Sequence, residues 1–154
     1  PLHRDGRERM LSCPSCGNVV YPKIAPAVIV AVTNGDKLLL TRYNGRAYKK
    51  YALIAGFTEI GETAEETVKR EVMEEVGLKV RDIVYYKSQP WGVDSNLLLG
   101  FFCRVDGETE ITVDENELSS AGWFSREDIP EDDGFSLTGE MMGLFIKVGG
   151  NFNV

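Results

Sequence analysis

Gly56 to Leu78 reads GFTEIGETAEETVKREVMEEVGL, and the rest of the chain is organised around it. Residues spaced i, i+3 and i+4 are neighbours on a helix surface, so Glu71, Glu74 and Glu75 share one face. Like charges at that spacing destabilise a helix. A chain that keeps them together is suited to hold a cation there, and an all-oxygen ligand set matches Mg²⁺ or Mn²⁺. The bland alternative is a solvated acidic helix, which is what a glutamate-rich stretch usually forms. The helix is bounded on both sides: Thr63 with Glu66 reads as a capping box, and Gly77 stands where a left-handed residue ends a helix. Val68, Val72 and Val76 give an apolar stripe beside the acidic one. Arg70, four residues before Glu74, is placed to orient that carboxylate or offset its charge.

Gly56, Glu62, Arg70-Glu71-Val72, Glu74-Glu75 and Gly77-Leu78 resemble the Nudix box. Nine constrained positions at fixed spacing make chance a poor explanation.

With 154 residues the chain can bury one sizeable core plus a small appendage. Its composition, 43% hydrophobic and 27% charged, is ordinary for a soluble globular protein, with no long apolar run and no cleavable signal pattern. A cytoplasmic location and no membrane partner are the expectations. A net charge of −7 speaks against non-specific binding to nucleic acid or anionic membrane, which needs a basic surface. It is compatible with a nucleotide, because a bound divalent ion reverses the sign of an acidic pocket.

Three cysteines are too few for a disulfide framework. Cys103 reads as a small buried hydrophobe in a strand. Cys13-Pro14-Ser15-Cys16-Gly17 resembles one knuckle of a zinc ribbon. A structural zinc needs four ligands, and beyond Cys13 and Cys16 only His3 is a weak third candidate. Either another knuckle lies upstream, a second chain supplies ligands, or the site holds no zinc. The expected division is a zinc-ribbon-like segment at 1–22 followed by one domain at 23–154.

Along that domain, Ile24 to Thr33 and the run KLLLTR about Asn34-Gly35 predict a β-hairpin. A polar loop containing Asn44-Gly45 leads to a strand over YALIAG, which delivers the chain to Gly56. After the helix, a Val- and Tyr-rich strand over 78–87 is expected, interrupted by Ser88-Gln89-Pro90-Trp91-Gly92. Strands are expected at Asn96 to Val105 and, after a turn at Asp106-Gly107, at a polar edge from Glu108 to Val113. Ala121 to Phe124 reads as a short strand, and Ser125 as the cap of a brief helical turn before Pro130. An acidic loop over 131–134 precedes a helix from Leu137 to Val148, stopped by Gly149-Gly150. Antiparallel hairpins with separate helices give an α+β domain.

The resemblance supplies what periodicity does not: a Nudix α/β/α sandwich with a mixed sheet, the acidic and C-terminal helices on opposite sides. Ser88-Gln89-Pro90-Trp91, and the knuckle followed by Tyr21-Pro22-Lys23, resemble the NADH pyrophosphatase branch of the family. The branch commonly continues Pro-Phe-Pro-x-Ser, whereas here the chain reads Gly92-Val93-Asp94-Ser95-Asn96, so the loop lacks two prolines that would fix φ. Carried over, the resemblance implies that Glu71 and Glu75 ligate metal, that Glu74 is a metal-linked or catalytic carboxylate, and that the Ala55 carbonyl and Glu117 complete the set. It implies dinucleotide contacts from Tyr21, Phe57, Gln89, Pro90, Trp91, Ser95, Asn96 and Thr138, with Thr138 replacing a common alanine.

The implied activity is Mg²⁺- or Mn²⁺-dependent cleavage of NAD(H) to nicotinamide mononucleotide and AMP, by a homodimer. ADP-ribose or the NAD cap of an RNA is the alternative substrate. A nucleotide-sensing module without activity is the third reading, though such modules typically lose box carboxylates and none is lost here.

Overall fold

A computed structural model describes residues 1–45, 50–131, 135–150 and 152. The apolar run predicted as a strand forms β4 (Ala25–Asn34), following three two-residue strands, β1 (His3–Arg4), β2 (Leu11–Ser12) and β3 (Val19–Val20), that pair antiparallel in a small sheet of their own. β4 is a continuous run of apolar residues because both of its faces are buried. Val28, Val30 and Val32 pack on one side with Val68, Val72 and Val76. Ile29 and Ala31 pack on the other with Leu137, Met141, Met142 and Phe145. One strand therefore carries the contact with both helices.

Those helices are α1 (Ala64–Val76) and α2 (Leu137–Val148). The α1 capping box is present in both directions, and Gly77 closes the helix in the left-handed region at φ 69°, its N–H bonding to the Met73 carbonyl. α2 starts at Ser136, whose hydroxyl accepts from the Gly139 N–H. The remaining strands are β5 (Lys37–Tyr43), β6 (Ile54–Phe57), β7 (Val80–Trp91), β8 (Asn96–Val105) and β9 (Leu118–Ser125), followed by a 3₁₀ turn at Arg126–Asp128. The main sheet runs β7-β8-β4-β5-β9, with β6 also on β4. It is mixed, because β4 and β8 are parallel while the other pairs are antiparallel. This is the α+β sandwich with a mixed sheet and a helix on each side that was expected from the sequence.

The β4–β5 hairpin turns one residue later than its Asn-Gly suggests. Asn34 pairs with Lys37, so Gly35 and Asp36 form the two-residue loop. Only Gly35 of that pair has positive φ, at 58°, as a turn with glycine first requires.

Two strand expectations need correction. Ser88 to Trp91 do not interrupt β7; they are its end, in register with Leu99 to Asn96, and Gly92 begins the loop. Pro90 is tolerated because β7 is an edge strand, where a missing N–H breaks no inner ladder. Glu108 to Val113 is not a strand. The Thr112 and Asp114 N–H groups instead bond the carbonyls of Val76 and Glu75, satisfying the last turn of α1. Of the expected acidic loop, residues 132–134 lie outside the described residues, as do residues 46–49 of the loop before Tyr51. Among the described residues no helix is long and apolar enough to cross a membrane.

Candidate active site

The site lies where β6 meets α1. Gly56 sits directly against Glu71: a β-carbon placed on it would fall 1.9 Å from the Glu71 carboxyl carbon. Only glycine leaves the space that this carboxylate fills.

Arg70 organises the acidic face. Its Nε and Nη2 donate to the two oxygens of Glu62 at 2.6 and 2.9 Å, a bidentate pair. Its Nη1 donates to Glu71 Oε1 at 2.8 Å and Glu74 Oε2 at 3.0 Å, and Nη2 also donates to the Phe57 carbonyl at 2.9 Å. Five bonds use all five guanidinium donors. The sequence placed Arg70 beside Glu74 alone. Glu62 is the partner that helical spacing could not find, because a loop and a cap separate the two; the only signal was its fixed position in the box. Hydrogen bonds from Arg70 and from the Glu59 N–H lower the Glu62 carboxyl to about 2.

Burial raises the Glu71 carboxyl pKa, Arg70 opposes this, and the charges of Glu74 and Glu117 add to it. Glu75 lies inside the fold, 1% exposed, and Glu74 is solvent-facing, with 59% of its side chain exposed. The donor set fits a hard divalent cation in its chemistry. Four carboxylates and a backbone carbonyl are all oxygen, and Glu71 feels two further negative charges that such an ion would relieve. In the arrangement described, the positive charge among them is Arg70, and among the described residues no three acidic, histidine or cysteine side chains converge on one point.

Beside this face opens a cleft of about 560 Å³, lined by Phe57, Glu59, Arg70, Glu71, Asp94, Asn96 and Glu117 among others. An apolar pocket of about 330 Å³ adjoins it, lined by Tyr43, Leu53, Ser136, Leu137 and Thr138. Ala55, Trp91 and Leu98 line both, so Trp91 is a shared wall. Of the residues expected to contact substrate, Phe57, Trp91, Asn96 and Thr138 are thus brought together. Gln89 reaches across to the segment just before α2, its Nε2 donating to the Phe135 carbonyl at 3.2 Å. Pro90 and Ser95 lie at the strand end and in its loop, outside both linings; the Ser95 carbonyl accepts from the Ala25 N–H. Tyr21 is not brought to the cleft: it is 55% exposed, and its hydroxyl donates to Glu8. Glu59, Asp94, Tyr43, Leu53 and Leu98 line the site without having been singled out, since single acids in loops and apolar residues in strands carry no spacing signal.

Cys13 and Cys16 stand in the turn between β2 and β3, where the Gly17 N–H bonds the Cys13 carbonyl. The Cys13 thiol pKa is lowered by hydrogen bonds from the Cys16 thiol and from the Cys16 and Ser15 N–H groups. Both thiols are free.

A mixed sheet between two helices, with an acidic helix face set against a glycine at a strand end, defines the Nudix class of fold. The chain belongs to the NUDIX family, whose domain model matches residues 23–142. Curated relatives include proteins named NAD-capped RNA hydrolase NudC from Citrobacter koseri, 39% identical, and Salmonella typhi, 40% identical, each over 130 residues. Each alignment covers 84% of this chain and 50% of the relative, so the chain spans about half the length of the curated relatives it matches. Among solved structures, a NUDIX hydrolase from Nitrosomonas europaea superposes with a TM-score of 0.82 at 21% identity, covering 96% of this chain and 85% of the other. An ADP-ribose pyrophosphatase from Streptococcus suis superposes at 0.58 and 22% identity, covering 81% and 91%. These two likenesses concern the fold.

Proposed function

We propose that this chain hydrolyses the pyrophosphate bond of an NAD-type dinucleotide to nicotinamide mononucleotide and AMP. The observation that carries the reading is the double cavity: an acidic cleft and an apolar pocket sharing Trp91 as a wall. A dinucleotide has two bases flanking a pyrophosphate, and it can place a base against an aromatic wall while the phosphates reach the carboxylates.

Glu71, Glu74, Glu75, Glu117 and the Ala55 carbonyl are the groups that would hold Mg²⁺ or Mn²⁺, which when bound neutralises phosphate oxygens and acidifies water. The protein's own contributions follow from the geometry. Gly56 leaves room for Glu71, and Arg70 fixes Glu71 and Glu74 relative to β6 through the Phe57 carbonyl. A glutamate of this face takes a proton from water as its oxygen bonds to phosphorus and the bridging P–O bond breaks. Phe57 and Trp91 offer stacking surfaces, and Leu53 and Leu98 keep the base pocket apolar. The test is a panel of NADH, NAD⁺, ADP-ribose and nucleoside triphosphates with Mg²⁺ or Mn²⁺, with products read by chromatography. Dinucleotides turned over with the highest kcat/KM support the reading; a preference for ADP-ribose or a triphosphate overturns it.

The names of the NudC relatives favour a second reading, in which the dinucleotide is the NAD cap of an RNA. The net charge of −7 opposes an extended phosphate-backbone contact, which needs lysine and arginine. Comparing kcat/KM for free NAD⁺ and NAD-capped RNA at two salt concentrations separates the readings.

The division into a segment at 1–22 and a domain at 23–154, the homodimer and the cytoplasmic location are part of the same proposal. Cys13 and Cys16 would supply two ligands of a zinc site completed by residues beyond this pair. Substoichiometric zinc in this chain by elemental analysis, becoming stoichiometric when a second Cys-x-x-Cys is added upstream, would support that. Light scattering during gel filtration reads the oligomeric state.

A further inference from the structure

The apolar pocket is lined in part by the start of α2 and in part by the end of β7, and a single carboxylate ties these elements together. Glu140, in the first turn of α2, accepts from the Tyr86 hydroxyl at 2.6 Å and from Lys87 Nζ at 2.8 Å. Tyr86 and Lys87 are adjacent, and adjacent strand residues ordinarily point to opposite faces. Here the ladder slips: Tyr85 pairs with Phe101 and Lys87 with Gly100, leaving Tyr86 as the extra residue of a bulge. Tyr85 packs edge-on against Phe101 on the α1 side, and Tyr86 edge-on against Phe102 on the α2 side. The bulge lets Lys87 turn to the α2 side as well, so both residues reach one carboxylate. Opposite it, Gly100 admits the helix closely, since a β-carbon there would lie 2.9 Å from Met141 Sδ and 3.3 Å from the Lys87 carbonyl. The Gln89 side chain adds a third tie to the carbonyl of Phe135, just before the helix.

Four residues beyond Lys87 stands Trp91, and two residues before Glu140 stands Thr138. Both line the apolar pocket. We propose that Glu140 is a positioning residue which, through Tyr86 and Lys87, sets the width of the pocket and thereby its affinity for a nucleotide base. It touches no substrate and takes no part in the reaction. The inference rests on the pocket being a base site, as in the reading above.

The test uses Tyr86→Phe and Lys87→Met, which leave α2 unchanged, beside Glu140→Gln. Binding of AMP and of nicotinamide mononucleotide is measured by calorimetry, and kcat and KM for NAD⁺ are measured in the same variants. Weaker binding of one mononucleotide, several-fold and up to about tenfold, is expected in all three, with KM for NAD⁺ rising in parallel and kcat little changed. A general loosening of the fold would lower kcat instead, and that result overturns the proposal. So does wild-type affinity in all three variants while NAD⁺ is still cleaved, which leaves the functional reading intact. If the wild type binds AMP but cleaves no dinucleotide, the functional reading falls, and weakened AMP binding in the variants still supports the clamp. If the wild type binds neither mononucleotide, the pocket is not a base site and the proposal falls with it.

Discussion

Gly56 and Glu71 occupy each other's space: the strand residue lacks a side chain where the helix residue puts its carboxylate, 1.9 Å from any added β-carbon. Gly56→Ala therefore displaces the tip of a flexible side chain rather than the backbone, so the fold survives. Hydrolysis should fall by about a hundredfold, the scale of an ångström-sized misplacement at a reacting centre. Mn²⁺ binding, followed by calorimetry, should weaken in step. Unchanged turnover would mean that Glu71 does not work from this position.

The Arg70–Glu62 fork has a pH signature. The Glu62 carboxyl is lowered to about 2 from an ordinary 4.5. A depressed carboxylate stabilises the fold above its unfolded value and loses that contribution as pH falls towards its folded value. Glu62→Gln should thus be less stable than wild type at pH 7, and the difference should shrink between about pH 4.5 and 2. Urea unfolding at several pH values checks this, and a difference independent of pH would break the assignment.

Glu74→Gln and Glu75→Gln should each reduce kcat by about a hundredfold or more, the lower range for removing a proton-transfer group. Their stabilities should differ little from wild type. Glu74 is mostly exposed and its ion pair with Arg70 is worth roughly 1 kcal/mol at most, while Glu75→Gln keeps the shape and volume of a buried side chain. Thermal unfolding and steady-state kinetics separate the two effects. Near-normal turnover in both variants would remove the metal-site reading.

Trp91→Ala should raise KM for NADH with little change in kcat, since a wall that stacks equally in ground and transition states contributes uniform binding. The loss should be on the order of 1 to 3 kcal/mol by analogy with base stacking. The ratio of kcat/KM for NADH over ADP-ribose, in wild type and variant, is the measurement. A ratio unmoved by the substitution would make Trp91 a piece of core.

Local signals carried much of this fold. α1 was legible from Thr63, Glu66 and Gly77 because caps and periodicity agree. α2 was legible because Gly149-Gly150 stop it, and the structure adds Ser136 as the cap at its other end. Failures came where a long-range partner decided. Glu108 to Val113 looks like an edge strand until the Val76 carbonyl claims the Thr112 N–H, and the Glu75 carbonyl that of Asp114 just beyond it. Ser88 to Trp91 looks broken by Pro90 until β8 pairs with it on one side and nothing in the sheet is required on the other. In the site, helical spacing linked Arg70 with Glu74 but could not reach Glu62. No local signal could separate Tyr21, held at Glu8, from the residues that do meet across the sheet.

The parallel seam between β4 and β8 has a kinetic consequence. Ala25 pairs with Asn96 and Thr33 with Arg104, so the chain must close a loop containing β5, β6, α1 and β7 before these strands meet. Such distant pairing slows folding relative to a fold built from local contacts. Ala55, Trp91 and Leu98 sit on three different strands around that seam. In refolding from urea, α1 can regain its ellipticity early, while nucleotide binding should return only with the slowest phase, when the first and third quarters of the chain have found each other.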